Sequence, residues 1–223
     1  MSTASGEPLL SIPSGPIRLE GILELPRNSA GVVVFSHGSG SGRRSPRNRY
    51  VARALQGAGL GTLLLDLLTL EEDQDYEMRF DIELLTARLG DAVRFVRKLA
   101  ATQSLPVGLF GASTGAASAL RVAAAMLGDV QAVVSRGGRP DLAGEPALSL
   151  VRAPTLLIVG GRDHGVIELN QGAYERLRCM KEIKIVPGAT HLFEEPGTLD
   201  EVARLAVKWF VQHLPRAGAA ATG

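Results

Sequence analysis

Ser113, Asp163 and His191 supply the hydroxyl, carboxylate and imidazole that nucleophilic attack on a carbonyl requires, and each follows a short apolar run. The serine sits in Gly111-Ala112-Ser113-Thr114-Gly115, after apolar residues 107–110 and before a small-residue stretch over 116–127. G-x-S-x-G between a strand and a helix is the setting of a nucleophile elbow, a sharp turn whose glycines leave room where side chains would collide. A serine hydroxyl stays protonated at neutral pH, so it needs a base within reach and a third group to orient that base. Here His191 takes the Ser113 proton and returns one to the leaving group, while Asp163 holds the imidazole tautomer and stabilises the imidazolium. The developing oxyanion is met by the backbone N–H groups of Thr114 and of Ser39, the latter in the glycine-rich stretch 38–42. The chain order Ser, Asp, His is that of one triad-bearing fold and differs from the orders of two protease folds.

Plainer readings stand beside these. Ser113 could cap the following helix, Asp163 could be a turn residue, and His191 a structural loop histidine; their joint placement after successive strands favours the chemistry. His37 shapes the oxyanion loop. His164, adjacent to Asp163, is badly placed to reach Ser113 while that same carboxylate orients it, and His213 belongs to the last helix. None of the four histidines has metal-site spacing such as H-E-x-x-H, and the glycine-rich stretch lacks both the Lys-Ser/Thr ending of a P-loop and a dinucleotide fingerprint. No metal or cofactor is implied. The single cysteine, Cys179, excludes an intramolecular disulfide and a Cys-rich metal site, and reads as a packed thiol.

Two arginine clusters admit a functional reading: Arg43, Arg44, Arg47 and Arg49 after the oxyanion loop, and Arg136 and Arg139 after the strand ending at Ser135. One of them could clamp a carboxylate or phosphate on the substrate, which makes His37, Arg136 and Arg139 the candidate substrate-binding residues. The alternative, favoured here, pairs the first cluster with Glu71, Glu72, Asp73, Asp75 and Glu77, and Arg139 with Asp141.

The elements that must position these groups follow from hydrophobic period. Residues 9–12 and 17–25 flank Pro13-Ser14-Gly15-Pro16, and the second segment alternates apolar and polar, so the chain opens with an antiparallel hairpin. Residues 32–35, 62–65, 107–110, 132–135, 155–159 and 183–186 are apolar without alternation, as strands buried on both faces are. Helical patterns occupy 47–56, 80–101, 114–127, 166–178 and 199–213. This alternation predicts an α/β fold with a mostly parallel sheet covered on both sides, in which ligands sit at the carboxyl ends of the strands. The acid-rich connection over 66–79 reads either as a lid or as a solvated excursion.

The 223 residues suit one domain, over 9–214, with loose tails over 1–8 and 215–223. A net charge of +1 gives no reason to expect nucleic acid or an anionic membrane, and no run approaches the length of a membrane span. The first residues lack the basic and apolar regions of a secretory signal, so a cytoplasmic location is expected. Aromatic residues total only 4 %, which predicts a pocket lined by aliphatic groups. A monomer and a homodimer are both compatible with the chain.

Taken together, Val33-Val34-Phe35-Ser36-His37-Gly38-Ser39-Gly40, Gly111-Ala112-Ser113-Thr114-Gly115, Val159-Gly160-Gly161-Arg162-Asp163 and Pro187-Gly188-Ala189-Thr190-His191-Leu192 resemble the α/β-hydrolase family, and within it the small dienelactone-hydrolase-like branch. The resemblance runs from the hairpin to Leu214. It implies a hydrolase without a large cap, with Ser113 as nucleophile, Asp163 as acid, His191 as base, and an oxyanion hole from the N–H groups of Ser39 and Thr114. One departure matters: dienelactone hydrolases carry a cysteine nucleophile where this chain has Ser113. That points toward small carboxylic esters, with lactone or thioester hydrolysis, acyl transfer, and a non-catalytic binding protein on the same fold as alternatives.

Overall fold

The computed structural model describes residues 9–214, so the tails expected over 1–8 and 215–223 lie outside the described residues. Its strands are β1 (Leu9–Ser14), β2 (Ile17–Glu24), β3 (Val32–Ser36), β4 (Gly61–Leu65), β5 (Val107–Ala112), β6 (Val130–Arg136), β7 (Thr155–Gly160) and β8 (Lys181–Val186). They form one sheet in the order β1-β2-β4-β3-β5-β6-β7-β8. The hairpin β1–β2 is antiparallel, with Leu9 opposite Ile22 and Ser14 opposite Ile17; β2 joins β4 antiparallel, and every later pairing is parallel.

Strands β3, β4 and β5 are buried at every residue, because helices cover both faces. The helices are α1 (Pro46–Gly57), α2 (Ile82–Lys98), α3 (Thr114–Ala125), α4 (Glu145–Leu150), α5 (His164–Arg176) and α6 (Thr198–His213). Val32 and Val34 of β3 pack with Leu85, Leu89 and Leu120 under α2 and α3. Val33 and Phe35 turn the other way, into a second core with Leu55 of α1 and Trp209 and Phe210 of α6. Local signals set the helix starts: Ser45 Oγ accepts from Asn48 N–H with Pro46 in the first turn, and Asp81 Oδ1 accepts from Leu84 N–H at 2.9 Å.

Three features differ from the pattern-based expectation. β8 is not buried on both faces: it is the edge strand, pairing only with β7, and Lys-Glu-Ile-Lys-Ile-Val leaves Ile185 43 % exposed. The short helix α4, opening on Glu145-Pro146, was hidden inside a connection too brief for periodicity to register. The helix read as starting at 80 begins only at Ile82, and the connection before it holds two 3₁₀ turns, Glu72–Gln74 and Met78–Phe80.

Candidate active site

The carboxyl ends of β3, β5, β7 and β8 bring the sequence motifs to one edge. After β5 the chain turns at Ser113 with φ 51° and ψ −123°, a conformation costing a non-glycine residue on the order of 1–3 kcal/mol unless its surroundings enforce it. Two hydrogen bonds enforce it: Ser113 N–H donates to the Arg136 carbonyl at 3.2 Å, and Arg139 N–H donates to the Ser113 carbonyl at 3.0 Å. The side chain makes no capping bond to α3, so the hydroxyl is left for other work. Gly115 and Gly38 make the close approach possible. A Cβ on Gly115 would lie 2.5 Å from the His37 carbonyl oxygen, and one on Gly38 would lie 2.9 Å from Ser113 Cβ.

Asp163 follows β7 and His191 follows β8. Arg162 N–H donates to the Ala189 carbonyl at 2.9 Å, tying the acid-bearing loop to the histidine-bearing one. Beyond the histidine, Phe193 is buried with φ 56°, and Thr190 N–H donates to Glu195 Oε2 at 3.0 Å, which fixes the loop from its far side. The outcome is a line of three groups. His191 Nδ1 is 2.7 Å from Asp163 Oδ2, and His191 Nε2 is 3.4 Å from Ser113 Oγ. The first bond fixes the tautomer: with Nδ1–H donating to the carboxylate, Nε2 is left as an acceptor facing the serine. The longer second contact is of the kind that shortens when a substrate is seated. The His191 side chain is 37 % exposed and that of Asp163 17 %, so the edge is open to solvent.

Ser39 N–H donates to Thr114 Oγ1 at 3.2 Å, so the glycine-rich loop after β3 is docked directly on the first turn of α3. His37 is buried and uses both ring nitrogens. Leu67 N–H donates to Nε2 at 2.8 Å, which leaves Nδ1–H to donate to the Gly38 carbonyl at 2.9 Å. Burial pushes its pKa below the usual histidine value. The imidazole is therefore a neutral brace between the glycine-rich loop and the chain leaving β4.

That chain is anchored from below by Arg88 of α2. Its guanidinium donates to the Leu67 carbonyl at 2.7 Å and forks onto Glu72 at 2.5 and 2.6 Å. Chiefly through this bond, the Glu72 carboxyl is held down at about 2. The acidic loop thus pairs with Arg88, and through Asp73 with Arg79, rather than with the first arginine cluster. Arg43 instead bonds Glu20 and Asp66, and Arg47 bonds Glu194. Arg139 forks onto Asp141 at 2.8 and 2.9 Å. Arg136 is the different case: a buried arginine with no carboxylate bonded to it among the described residues.

A cleft of about 650 Å³ opens beside the glycine-rich loop, walled by His37, Ser41, Gly42, Arg44, Leu68 and Leu70 among others. The three catalytic candidates do not line it; it adjoins the chemistry through the loop alone. Cys179 is half-buried with its thiol near Thr155 Oγ1, and burial pushes its pKa up, as befits packing rather than attack.

Residues 19–212 match the dienelactone hydrolase family. The chain belongs to that family. This dienelactone hydrolase family member is 54 % identical to a dienelactone hydrolase from Anabaena variabilis of known crystal structure, over 94 % of this chain and 98 % of that one, with a TM-score of 0.91. Est1E from Butyrivibrio proteoclasticus shares the fold at a TM-score of 0.79 and 15 % identity, covering 92 % of this chain and 98 % of its own. Two Mycobacterium tuberculosis proteins with the provisional name phosphoribosyl transferase are 57 % identical over 205 residues, 92 % of this chain. The chain spans only 46 % of their length. Membership gives this chain the α/β-hydrolase fold of the dienelactone hydrolase type. Among the described residues no helix is long and apolar enough to cross a membrane.

Proposed function

We propose that the chain is a serine hydrolase that cleaves small carboxylic esters through an acyl-enzyme. The observation that carries the reading is the continuous Ser113–His191–Asp163 line, at 3.4 and 2.7 Å, on a strained turn held from both sides. His191 Nε2 takes the proton from Ser113 Oγ as that oxygen bonds to the ester carbonyl carbon, and the carbonyl π electrons move to oxygen. The N–H groups of Thr114 and Ser39 then receive the negative oxygen; for Ser39 this means releasing Thr114 Oγ1. Collapse breaks the carbon–alkoxy bond, and the imidazolium hands its proton to the departing alcohol. Water, deprotonated by the same imidazole, attacks the acyl group and releases the acid, returning the proton to Ser113.

The open edge supports a small substrate or one that reaches outward into solvent. Identity to the Anabaena dienelactone hydrolase favours a lactone as second reading, and the serine in place of a cysteine favours the open-chain ester. The phosphoribosyl transferase name belongs to proteins of which this chain spans only 46 %, and the Ser113–His191–Asp163 line offers it no support.

The test is hydrolysis of 4-nitrophenyl acetate and butyrate, together with a five- or six-membered lactone, by the wild type and Ser113→Ala. Turnover abolished in the variant, with unchanged circular dichroism, supports the acyl-enzyme. Equal fluorophosphonate labelling of wild type and Ser113→Ala would place the nucleophile elsewhere. Failure of the wild type to react with either ester or label would leave the binding-protein alternative standing.

A further inference from the structure

The turn that leaves β6 reaches the elbow, the strand that leads to Asp163, and His191. Ser113 N–H donates to the Arg136 carbonyl at 3.2 Å, and Arg139 N–H donates back to the Ser113 carbonyl at 3.0 Å. Between them Gly137, at φ 51°, sends its N–H to the Ile158 carbonyl of β7 at 2.8 Å. Gly137 also backs the imidazole: a Cβ there would lie 3.0 Å from the His191 carbonyl oxygen and 3.6 Å from Cε1, the ring carbon between the two nitrogens. Gly138 packs closely on its other side, where a Cβ would stand 2.0 Å from Ser135 Oγ and 2.6 Å from Ala116 Cβ in the first turn of α3.

One side chain from outside the sheet fixes this turn. Asn170 of α5 is fully buried, and its Nδ2 donates to the Gly138 carbonyl at 2.9 Å and to the Val166 carbonyl, one turn back in its own helix, at 2.8 Å. The first turn of α5 hangs on the acid, since Ile167 N–H donates to the Asp163 carbonyl at 2.9 Å. Asn170 therefore stands about two turns from Asp163 on one rigid element. Packing alone does not call for an amide there. Its Oδ1 is buried without a protein donor among the described residues, and an amide oxygen so placed costs stability that leucine, with the same branched outline, avoids. What leucine lacks is the donor to Gly138.

We propose that Asn170 is a positioning residue for the hydrolytic reaction. From the helix that follows Asp163, its amide nitrogen ties the acid-bearing element to the turn that seats Ser113 and backs the His191 ring. It meets no substrate and acts only through Gly138. The kinetic consequence rests on the ester-hydrolase reading; the mechanical one, a turn held by one amide, stands without it.

Asn170→Ser and Asn170→Leu separate this role from a structural one. A serine within a helix bonds the carbonyl four residues back, so Asn170→Ser keeps the bond to Val166 and loses only the reach to Gly138. Asn170→Leu loses both. The control is Leu177→Ala, buried at the end of the same helix away from the site, which lowers stability without loosening the turn. Kinetics on 4-nitrophenyl butyrate are measured well below every Tm. Both Asn170 variants are expected to lose on the order of tenfold to a hundredfold in kcat with KM within about twofold, because nucleophile and base drift out of line. Leu177→Ala keeps the wild-type kcat. Equal kcat in wild type and Asn170→Ser overturns the proposal, as does a loss that Leu177→Ala shares.

The second readout needs no turnover. Amide exchange followed by NMR is expected to quicken about tenfold or more at Ser113 and Arg139 in both variants, with Leu109 and Val133 of the central strands unchanged. The downfield resonance of the His191 Nδ1 proton, held by Asp163, broadens with it. If the wild type hydrolyses no ester, the ester reading fails and exchange alone decides: quickening confined to the turn supports the assignment. Unchanged exchange at Arg139, or quickening throughout the sheet, overturns it. Asn170→Ser only removes atoms, so it decides the matter should Asn170→Leu fail to fold.

Discussion

Replacing Gly115 by alanine puts the elbow's packing to a quantitative test. The added Cβ would stand 2.5 Å from the His37 carbonyl oxygen and 2.6 Å from the Ser36 carbonyl carbon, about 1 Å inside ordinary contact. Both neighbours are backbone at the end of β3, so relief cannot come from a side-chain rotation. Either α3 lifts from β3, carrying Ser113 and Thr114 with it, or the loop that holds Ser39 N–H retreats by a similar distance. Overpacking of this kind costs about 1–3 kcal/mol, which for a chain of this size lowers Tm by roughly 3–10 °C. The catalytic loss is larger than the thermal one implies, because a displacement of about 1 Å between nucleophile and oxyanion donors costs on the order of a hundredfold in rate. The assay is kcat on 4-nitrophenyl butyrate, read beside the rate of fluorophosphonate labelling, whose phosphonyl oxygen uses the same donors. Both rates are expected to fall together. A variant with wild-type Tm and a kcat within threefold of wild type would refute the argument that Ser36 and His37 set the elbow's position.

Asp163→Asn preserves shape but not the tautomer of His191, and kcat is expected to fall about 10³–10⁴-fold with KM little changed, by the logic of triads generally. His37→Leu leaves Leu67 N–H without its acceptor and costs about 1–3 kcal/mol in urea unfolding. Because the folded pKa of His37 lies below 6.5, its neutral form is favoured by folding; wild-type stability falls as pH drops below 6.5, and the gap to His37→Leu narrows with it. Glu72 has its folded pKa lowered from 4.5 to about 2, so its contribution is present above pH 4.5 and lost on acidification toward 2. Glu72→Gln is accordingly less stable than wild type at pH 7, with the two Tm values converging between pH 4.5 and 2.

The parts of the site that could be read from residues alone are those where one residue type has one use. Gly111, Ser113 and Gly115 form a turn that needs small residues at fixed offsets, and uninterrupted apolar runs in β3 and β5 announce a buried parallel sheet. Charged residues were harder, since a guanidinium has many equivalent acceptors. The acidic connection was expected to answer Arg43 and its neighbours, but Glu72 reaches forward to Arg88 in α2, sixteen residues on in the chain, and Arg43 finds Glu20 on the hairpin. Arg136 looked like the first loop residue after a strand, whereas it is the strand's last residue and turns inward. No local pattern distinguishes these two positions. β8 failed for a related reason: its Ile183 and Ile185 suggested burial, while Lys181, Glu182 and Lys184 carried the sign of an edge.

That edge strand bears on how the molecule loses activity. β8 has a neighbour on one side only, and the imidazole hangs from the loop that leaves it. Strands so placed open by themselves at a lower free energy than the central sheet, through excursions visible in amide exchange. On the proposed mechanism, fraying of β8 takes His191 away from a Ser113 that stays seated between β3 and β6. Warming or mild denaturant therefore silences turnover reversibly while most of the sheet is still intact, and the midpoint for activity falls below the midpoint for unfolding.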